Sequence, residues 1–318
     1  MNFNIIDVLN IAVSMFLVMV VGYYLRKKDV IDAQFSKKLS KLVLHLTQPV
    51  LIVASMIKME MTANNTKLLG KVLVISLAVH TLAAILGYLT MFFMKDHDAR
   101  KLSEHSIIFA NVMFFGLPLV KQLFGDEAIA MASFYSIIFH VFAWTYGMII
   151  LGRDRDDIKF DPKKVLLNFG TVPCAIGMLL YFLNFTELIK AAKLDSLLIA
   201  LDYIGGLCTP ISLLVLGGVL ATHPPKRLFF DLKVYWVCLV KLVILPIVVL
   251  LIAKAIGLDD SLCMFTMIMA ALPTASITNM FAELYDIQPG YAATCVGMTT
   301  AISVLTLPFV AYIGMLIL

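Results

Sequence analysis

The chain has 318 residues, 61% of them hydrophobic and 14% charged, with a formal net charge of +4. A water-facing domain of this size is about a quarter charged and about half apolar, and its surface could not hide so much hydrocarbon. This balance excludes a soluble globule, and basic residues spread between apolar stretches, not pooled, exclude a nucleic-acid-binding patch.

Runs long enough to cross the roughly 30 Å hydrocarbon core fall near 5–25, 39–57, 71–94, 105–124 and 128–151, then near 163–184, 197–220, 230–256, 261–284 and 289–317. They are too long, and alternate too little, for barrel strands, so the expectation is an all-α integral membrane protein of ten transmembrane helices. Met1 to Asn4 carry no basic leader, so the first run is expected to stay as a helix. Lysine and arginine number 17 around the odd loops and 7 around the even ones, with Lys241 left inside a span. That bias predicts cytoplasmic odd loops and both termini outside a cell (inner) membrane. Cys174, Cys208, Cys238, Cys263 and Cys295 stand singly in apolar runs, at no disulfide or metal spacing, and read as small buried hydrophobes.

Landmarks recur 161 residues apart. Pro49 in LTQPVLIV matches Pro210 in LCTPISLLV, and the end of the fourth run, Phe124-Gly125, matches Tyr285-Asp286. Each half then holds five helices, and an odd number of crossings gives the halves opposite topology. The predicted organisation is a first inverted repeat over 1–152, a solvated cytoplasmic linker over 153–164 and a second repeat over 165–318.

The fourth run, HSIIFANVMFFGLPLVKQLFG, carries Asn111, Gly116 and Pro118, and the ninth, MIMAALPTASITNMFAELYD, carries Pro273, Thr274, Ser276, Thr278 and Asn279. A proline lacks the N–H that an α-helix needs, and its ring clashes with the carbonyl four residues back. Its freed backbone groups are tolerated at membrane depth only where protein or water meets them. Two interruptions in corresponding spans predict a midplane site where half-helix N-termini face an anion. Under the offset, Asn279 falls at Pro118 and Pro273 one residue past Asn111, so the halves are expected to exchange asparagine and proline roles. Pro173, Pro246 and Pro308 read as simple kinks.

These stretches resemble a known family. NVMFFGLPL and AALPTASITNMFAELYDIQPG look like the two crossing segments of the auxin efflux carrier family, and KLVLHLTQPVLIVASM and SVLTLPFV are similar to its second and last spans. The resemblance covers essentially the whole chain, and the lack of a long central loop makes it resemble the compact bacterial type. It implies a fold akin to sodium/bile-acid symporters and sodium/proton antiporters. It also implies crossing broken helices four and nine, a scaffold of spans one, two, six and seven, a moving domain of spans three to five and eight to ten, and a homodimer. Bacterial members are commonly assigned as malate or malonate permeases, plant members as auxin exporters. Carried over, Pro118 and Pro273 are the crossing prolines and Asn111 a substrate contact, while Thr274, Ser276 and Asn279 depart from the plant set.

Lys241 lies mid-span in VYWVCLVKLVILP, where a charge must face a cavity or a partner, so it either attracts a carboxylate or holds helices together. His80, at the equivalent place, either couples transport to protons or packs, and His140 is read in the same two ways. Asp7, Glu104, Asp202 and Glu283 all fall near expected helix ends or turns. The expectation is a secondary transporter of a small organic anion, partnered by the lipid bilayer and needing neither cofactor nor metal. Its site would draw on Asn111, Gly116, Pro118, Pro273, Thr274, Ser276, Asn279, Lys241 and His80. The alternatives are a sodium-coupled symporter, a channel or a receptor. An enzyme is disfavoured, since neither HExxH nor GxSxG occurs and no phosphate loop is present.

Overall fold

The computed structural model describes residues 5–155, 158, 162–192, 194–222 and 231–318. Among these the chain is helical, apart from one isolated bridge between extended segments. Seven helices are long and apolar enough to cross a bilayer: Leu9–Lys27, Gln34–Lys58, Ala63–Met91, Glu127–Leu151, Asp195–Ala221, Leu232–Ala255 and Pro289–Ile317. Three shorter apolar helices, Val112–Phe124, Thr171–Phe182 and Asp260–Ala271, stand where the fourth, sixth and ninth spans were expected.

In chain order the first half comprises α1 (Ile5–Lys27), α2 (Ala33–Leu42), α3 (Gln48–Lys58), α4 (Ala63–Met91), α5 (His97–Ile108), α6 (Leu117–Phe124), α7 (Glu127–Phe142) and α8 (Met148–Leu151). The second half comprises α9 (Pro162–Leu166), α10 (Thr171–Phe182), α11 (Phe185–Ala191), α12 (Asp195–Gly206), α13 (Cys208–Thr222), α14 (Leu232–Leu239), α15 (Leu245–Ala255), α16 (Asp260–Ala271), α17 (Ser276–Leu284) and α18 (Pro289–Ile317).

The sixth span is not one rod. Asn168 accepts hydrogen bonds at Oδ1 from the N–H groups of Gly170 (2.9 Å) and Thr171 (3.0 Å), capping α10 from a loop and parting it from α9. At 12 residues α10 is about 18 Å long, too short to span the hydrocarbon alone. Of the expected linker, Arg153 to Arg155 and Ile158 are described, whereas Asp156, Asp157 and Lys159 to Asp161 lie outside the described residues, as do Met1 to Asn4, Lys193, Lys226 and Arg227. The described part is not simply solvated. Ile158 is buried, Arg153 pairs with Glu104, and Lys101 donates to the Arg153 carbonyl.

Prolines are absorbed without breaking these helices. Four turns, Val43–Thr47, Val112–Gly116, Ala143–Gly147 and Val240–Ile244, are wound as π. Three of them end two residues before a proline, at Pro49, Pro118 and Pro246. The residue just before each proline donates five residues back: Gln48 to Val43, Leu117 to Val112 and Leu245 to Val240. The widened turn moves aside the carbonyl that the ring would strike. Pro173 sits in the first turn of α10, where its missing N–H costs nothing, and Pro308 lies inside α18.

α1 and α13 approach until their backbones nearly touch, at Gly22 and Gly217. The largest buried cluster surrounds α4, α6, α7, α15 and α16, and all five cysteines are buried and unbridged. α6 ends at Gly125, whose φ of +86° most side chains would resist.

Asp96 opens α5, accepting at Oδ1 from the Ala99 N–H at 3.1 Å and from Gln288 Nε2 at 3.0 Å. The Ala99 N–H foremost, with the Gln288 amide and Lys233 adding, holds its carboxyl below the usual range against slight desolvation. A depressed carboxylate stabilises the fold above its unfolded value of about 4, and that help is lost as pH falls through the lower folded value. Asp96→Ala should therefore cost about 1 kcal/mol at neutral pH. The gap from the natural protein should close on acidification, as read by denaturant titration at two pH values; a gap that persists in acid would refute the cap.

Candidate functional site

The chain is interrupted twice, and the two interruptions meet. After α5 the backbone turns extended at Phe109 (φ −95°, ψ 103°), and after α16 it does so at Leu272 (φ −60°, ψ 146°) and at Ala275. Leu272 precedes Pro273, and the residue before a proline is driven out of the helical region. The freed backbone groups then satisfy each other. Asn111 N–H donates to the Pro273 carbonyl at 2.7 Å, Ala275 N–H donates to the Phe109 carbonyl at 2.8 Å, and Ala110 and Thr274 pair antiparallel. Thr274 closes the remainder: its N–H donates to Thr299 Oγ1 (3.1 Å) and its hydroxyl to the Ser106 carbonyl (3.0 Å). Such mutual pairing is what irregular backbone requires in an apolar medium.

This corrects the expected place of the first interruption. The break lies at Phe109 to Asn111, and Pro118 is the second residue of α6, behind a π turn. In the second half the break does lie at Pro273, so the two prolines do different work. Gly116 sits where the breaks press together, since a Cβ there would come 2.7 Å from Leu272 Cδ1.

Beside the breaks lies a cavity of about 280 Å³, lined by Val112 to Phe114 from one restarted helix and by Ala275 to Ile277 from the other. Both segments turn the positive ends of their dipoles to this side, although several first-turn donors are already taken: Val112 N–H by the Ala110 carbonyl, Phe114 N–H by Asn111 Oδ1 and Thr278 N–H by the Ala275 carbonyl. The opposite wall comes from α2, α3 and α13, with Gln48 and Val219 among its residues, and Phe139, His140, Trp144 and Asn168 complete the lining. Asn111 is 3% exposed; its Oδ1 accepts from the Phe114 N–H at 3.2 Å, while Nδ2 has no partner among the described residues. Gln48, 1% exposed, likewise leaves Oε1 unpaired. Unpaired polar atoms this deep are rare unless something else meets them. Neither lysine, arginine nor carboxylate lines the cavity among the described residues.

Of the residues singled out from sequence, Asn111 and Ser276 line this cavity, whereas Pro118, Pro273, Thr274 and Gly116 shape the backbone behind it. The other three lie apart from the lining. Asn279 donates through Nδ2 to Glu283 at 2.8 Å instead of mirroring Asn111. His80 is buried with Nδ1 on the Ser76 carbonyl (2.8 Å) among Phe109, Tyr135, Phe139 and Phe142. Lys241 is 1% exposed within the π turn Val240–Ile244, which packs on α5, α16 and α18, and no carboxylate pairs with it among the described residues. Glu104, expected near a helix end, is buried in α5 between two arginines.

Sequence reasoning passed over Gln48, Trp144 and Asn168 and left His140 with two readings. Two signals were available: Gln48 is an amide beside a proline in an apolar run, and His140 and Trp144 stand four apart, on one helix face. Among the described residues, no group of three or more His, Cys, Asp and Glu side chains is arranged to hold a metal ion.

Comparison with known proteins gives a consistent result. A family described as membrane transport protein matches the chain twice in succession, over residues 7–166 and 158–311. An uncharacterized transporter of Methanocaldococcus jannaschii is 23% identical over 313 residues, covering 94% of this chain and 96% of that protein. An uncharacterized transporter of Methanothermobacter thermautotrophicus is 20% identical over 299 residues, covering 93% and 95%.

Proposed function

The chain belongs to the membrane transport protein family, of the auxin efflux carrier-like kind, and from that premise we propose that it carries a small organic anion with an apolar body across the cell membrane by alternating access. The observation that bears most weight is the pairing of two helix N-termini with the unpartnered Asn111 amide on one apolar cavity. Donors without a neutralising carboxylate favour an anion. With Lys241 outside the lining, one carboxylate is matched and a second is not, so a monocarboxylate fits better than malate or malonate. Trp144, Phe139, Phe114 and Phe169 would sheathe its apolar body.

Two successive family matches and the seven long with three shorter apolar helices support the ten-span, twofold-repeated plan. In it α1 to α3 and α10 to α13 form the scaffold, and the helices bearing the breaks slide against it, as in an elevator. The cavity wall reaches Ser40, Asn168 and Val219, which stand in or close in sequence to the basic loops counted as cytoplasmic, so the site would be open to the cytoplasm with both termini outside.

The test is Asn111→Asp. Aspartate keeps the oxygen that caps the Phe114 N–H but replaces the free donor with a negative charge. Like charges brought together cost several kcal/mol, so benzoate, used as a probe monoanion, should bind more than about a hundredfold more weakly. Calorimetry on purified protein reads this, with malonate as the dianion control. Unchanged benzoate affinity, or malonate binding tighter than benzoate, would remove the proposed site or its charge preference.

A further inference from the structure

His140 presents a physical problem that the carrier reading leaves unsolved. It lies in the last turn of α7, beside the cavity, and both ring nitrogens are shielded from solvent with no hydrogen-bond partner among the described residues. A neutral imidazole carries one N–H and one lone pair, and burying both unpaired is a cost that a leucine would not incur. The ring is held there by shape. Nε2 abuts Gly170, where a Cβ would come within 1.6 Å of it, so any larger residue would push the ring out of this seat. The φ of Gly170 is −102°, which any residue can adopt, so space is the reason for glycine at this point. Gly170 is in turn fixed by the Asn168 cap at the start of α10. His140, on α7 of the moving set, and Gly170, at the start of scaffold helix α10, thus stand across the boundary along which the carrier reading has one set slide on the other.

We propose that His140 and Gly170 form a proton-operated catch between the moving helices and the scaffold: the neutral ring seats against Gly170 and holds the cavity as seen, and a second ring proton unseats it. This rests on the carrier reading above. A doubly protonated ring needs an acceptor at each nitrogen, and the Gly170 α-carbon offers none. The titratable groups around His140 are few. His80, on α4, packs against Phe139 and Phe142, the neighbours of His140 on α7. Tyr135 lies on its own helix, and Cys174 on α10 is engaged with Ser133 and Ser136. His45, from the π turn Val43–Thr47, lies tilted against Phe169 with ring centroids 4.3 Å apart. Lys163 on α9 has a partner of its own, while Lys121 at the end of α6 pairs with Asp126 near the far end of α7. Among the described residues no carboxylate from a neighbouring helix lines the cavity to hold an imidazolium in place.

The experiment needs no substrate. Met280, exposed in the cavity, is replaced by cysteine, and its labelling by a membrane-impermeant maleimide is followed in vesicles of each orientation. Rates are normalised to a cysteine placed at Asp29, in a loop. Going from about pH 8 to about pH 4, through and below the ordinary imidazole range, should slow normalised labelling from the cavity's open side about tenfold. His140→Phe, of similar shape and without a titrating group, should abolish that dependence. Gly170→Ala should slow labelling at every pH, and the pair Gly170→Ala with His140→Ala should restore it. The proposal is overturned if His140→Phe keeps the pH response, or if the double variant behaves as Gly170→Ala alone. Should Gly170→Ala fail to fold, the His140→Phe arm decides by itself. Because labelling is independent of any anion, failure here with benzoate binding intact sinks the catch and not the carrier. An intact pH response without anion binding does the reverse.

Discussion

Purified Glu104→Gln protein should unfold at clearly lower denaturant than the natural chain, a loss of about 3–5 kcal/mol. Glu104 is 1% exposed within α5, and its two oxygens serve two arginines: Oε1 accepts from Arg100 Nε at 2.9 Å and Oε2 from Arg153 Nη1 at 2.6 Å. Both guanidiniums are also committed to aromatic faces, Arg100 over Tyr88 and Phe92 and Arg153 over Tyr88. Neither can retire fully to water when the carboxylate goes. Removing the shared anion leaves two cations facing each other at the end of α4, α5 and α8, the case in which breaking a buried pair is most costly. Arg153→Gln should cost less, because that side chain is 32% exposed and Glu104 would keep Arg100. Equal midpoints for Glu104→Gln and the natural protein would show that the cluster contributes nothing to the fold.

Gly217→Ala should be worse, leaving little monodisperse protein in size-exclusion chromatography. A Cβ at 217 would lie 1.9 Å from the Met19 carbonyl oxygen, and one at 22 would lie 2.2 Å from that of Leu214. Each obstacle is backbone, so no rotamer change relieves it and α1 must part from α13 along its length. Between helices in lipid, close contact of small residues is a main source of association, because the solvent is as apolar as the side chains. The loss should reach or exceed the roughly 3 kcal/mol upper range of ordinary overpacking. Gly218→Ala is the control: its nearest neighbours are Ser36 Oγ at 3.4 Å and Arg26 Cβ at 4.0 Å, so it should behave as the natural chain. A Gly217→Ala protein as stable as that control would mean the helices are not in contact here.

Features legible in the chain are those whose physical demands are local. Crossing a bilayer sets a length and a polarity on each run, so most helices stood out in sequence. Asn111 could be picked out because an amide in an apolar stretch is expensive wherever it faces. Pro118 misled for an equally local reason. Its ring excludes an ordinary α turn but not a π turn, and winding is decided by the room around Val112–Gly116. Asn279 mirrored Asn111 in spacing only, because a single turn of helix separates it from Glu283 and offers a nearer partner. The sixth run was read as one helix because the caps that divide it come from Asn168, a residue common in loops and helices alike. Gln48 and His140 acquire meaning only from what stands opposite them on the other half, Gly170 above all, and that juxtaposition leaves no mark in spacing along the chain.

The π turn between Asn111 and Pro118 carries a consequence for how this segment tolerates change in length. Val112–Gly116 holds one residue more than regular winding would need. Deleting a single residue there would let regular α winding return in nearly the same register and bring back the clash of the Pro118 ring with a carbonyl. Inserting one would instead rotate the backbone before the turn by about 100° against α6 and shift it about 1.5 Å. Asn111 would leave the cavity wall, and its N–H would lose the Pro273 carbonyl. The stretch therefore works as a spacer of fixed count. Substitutions within it that preserve volume can be absorbed, while a gain of one residue dismantles the meeting of the two interruptions and a loss of one sets Pro118 against its own helix.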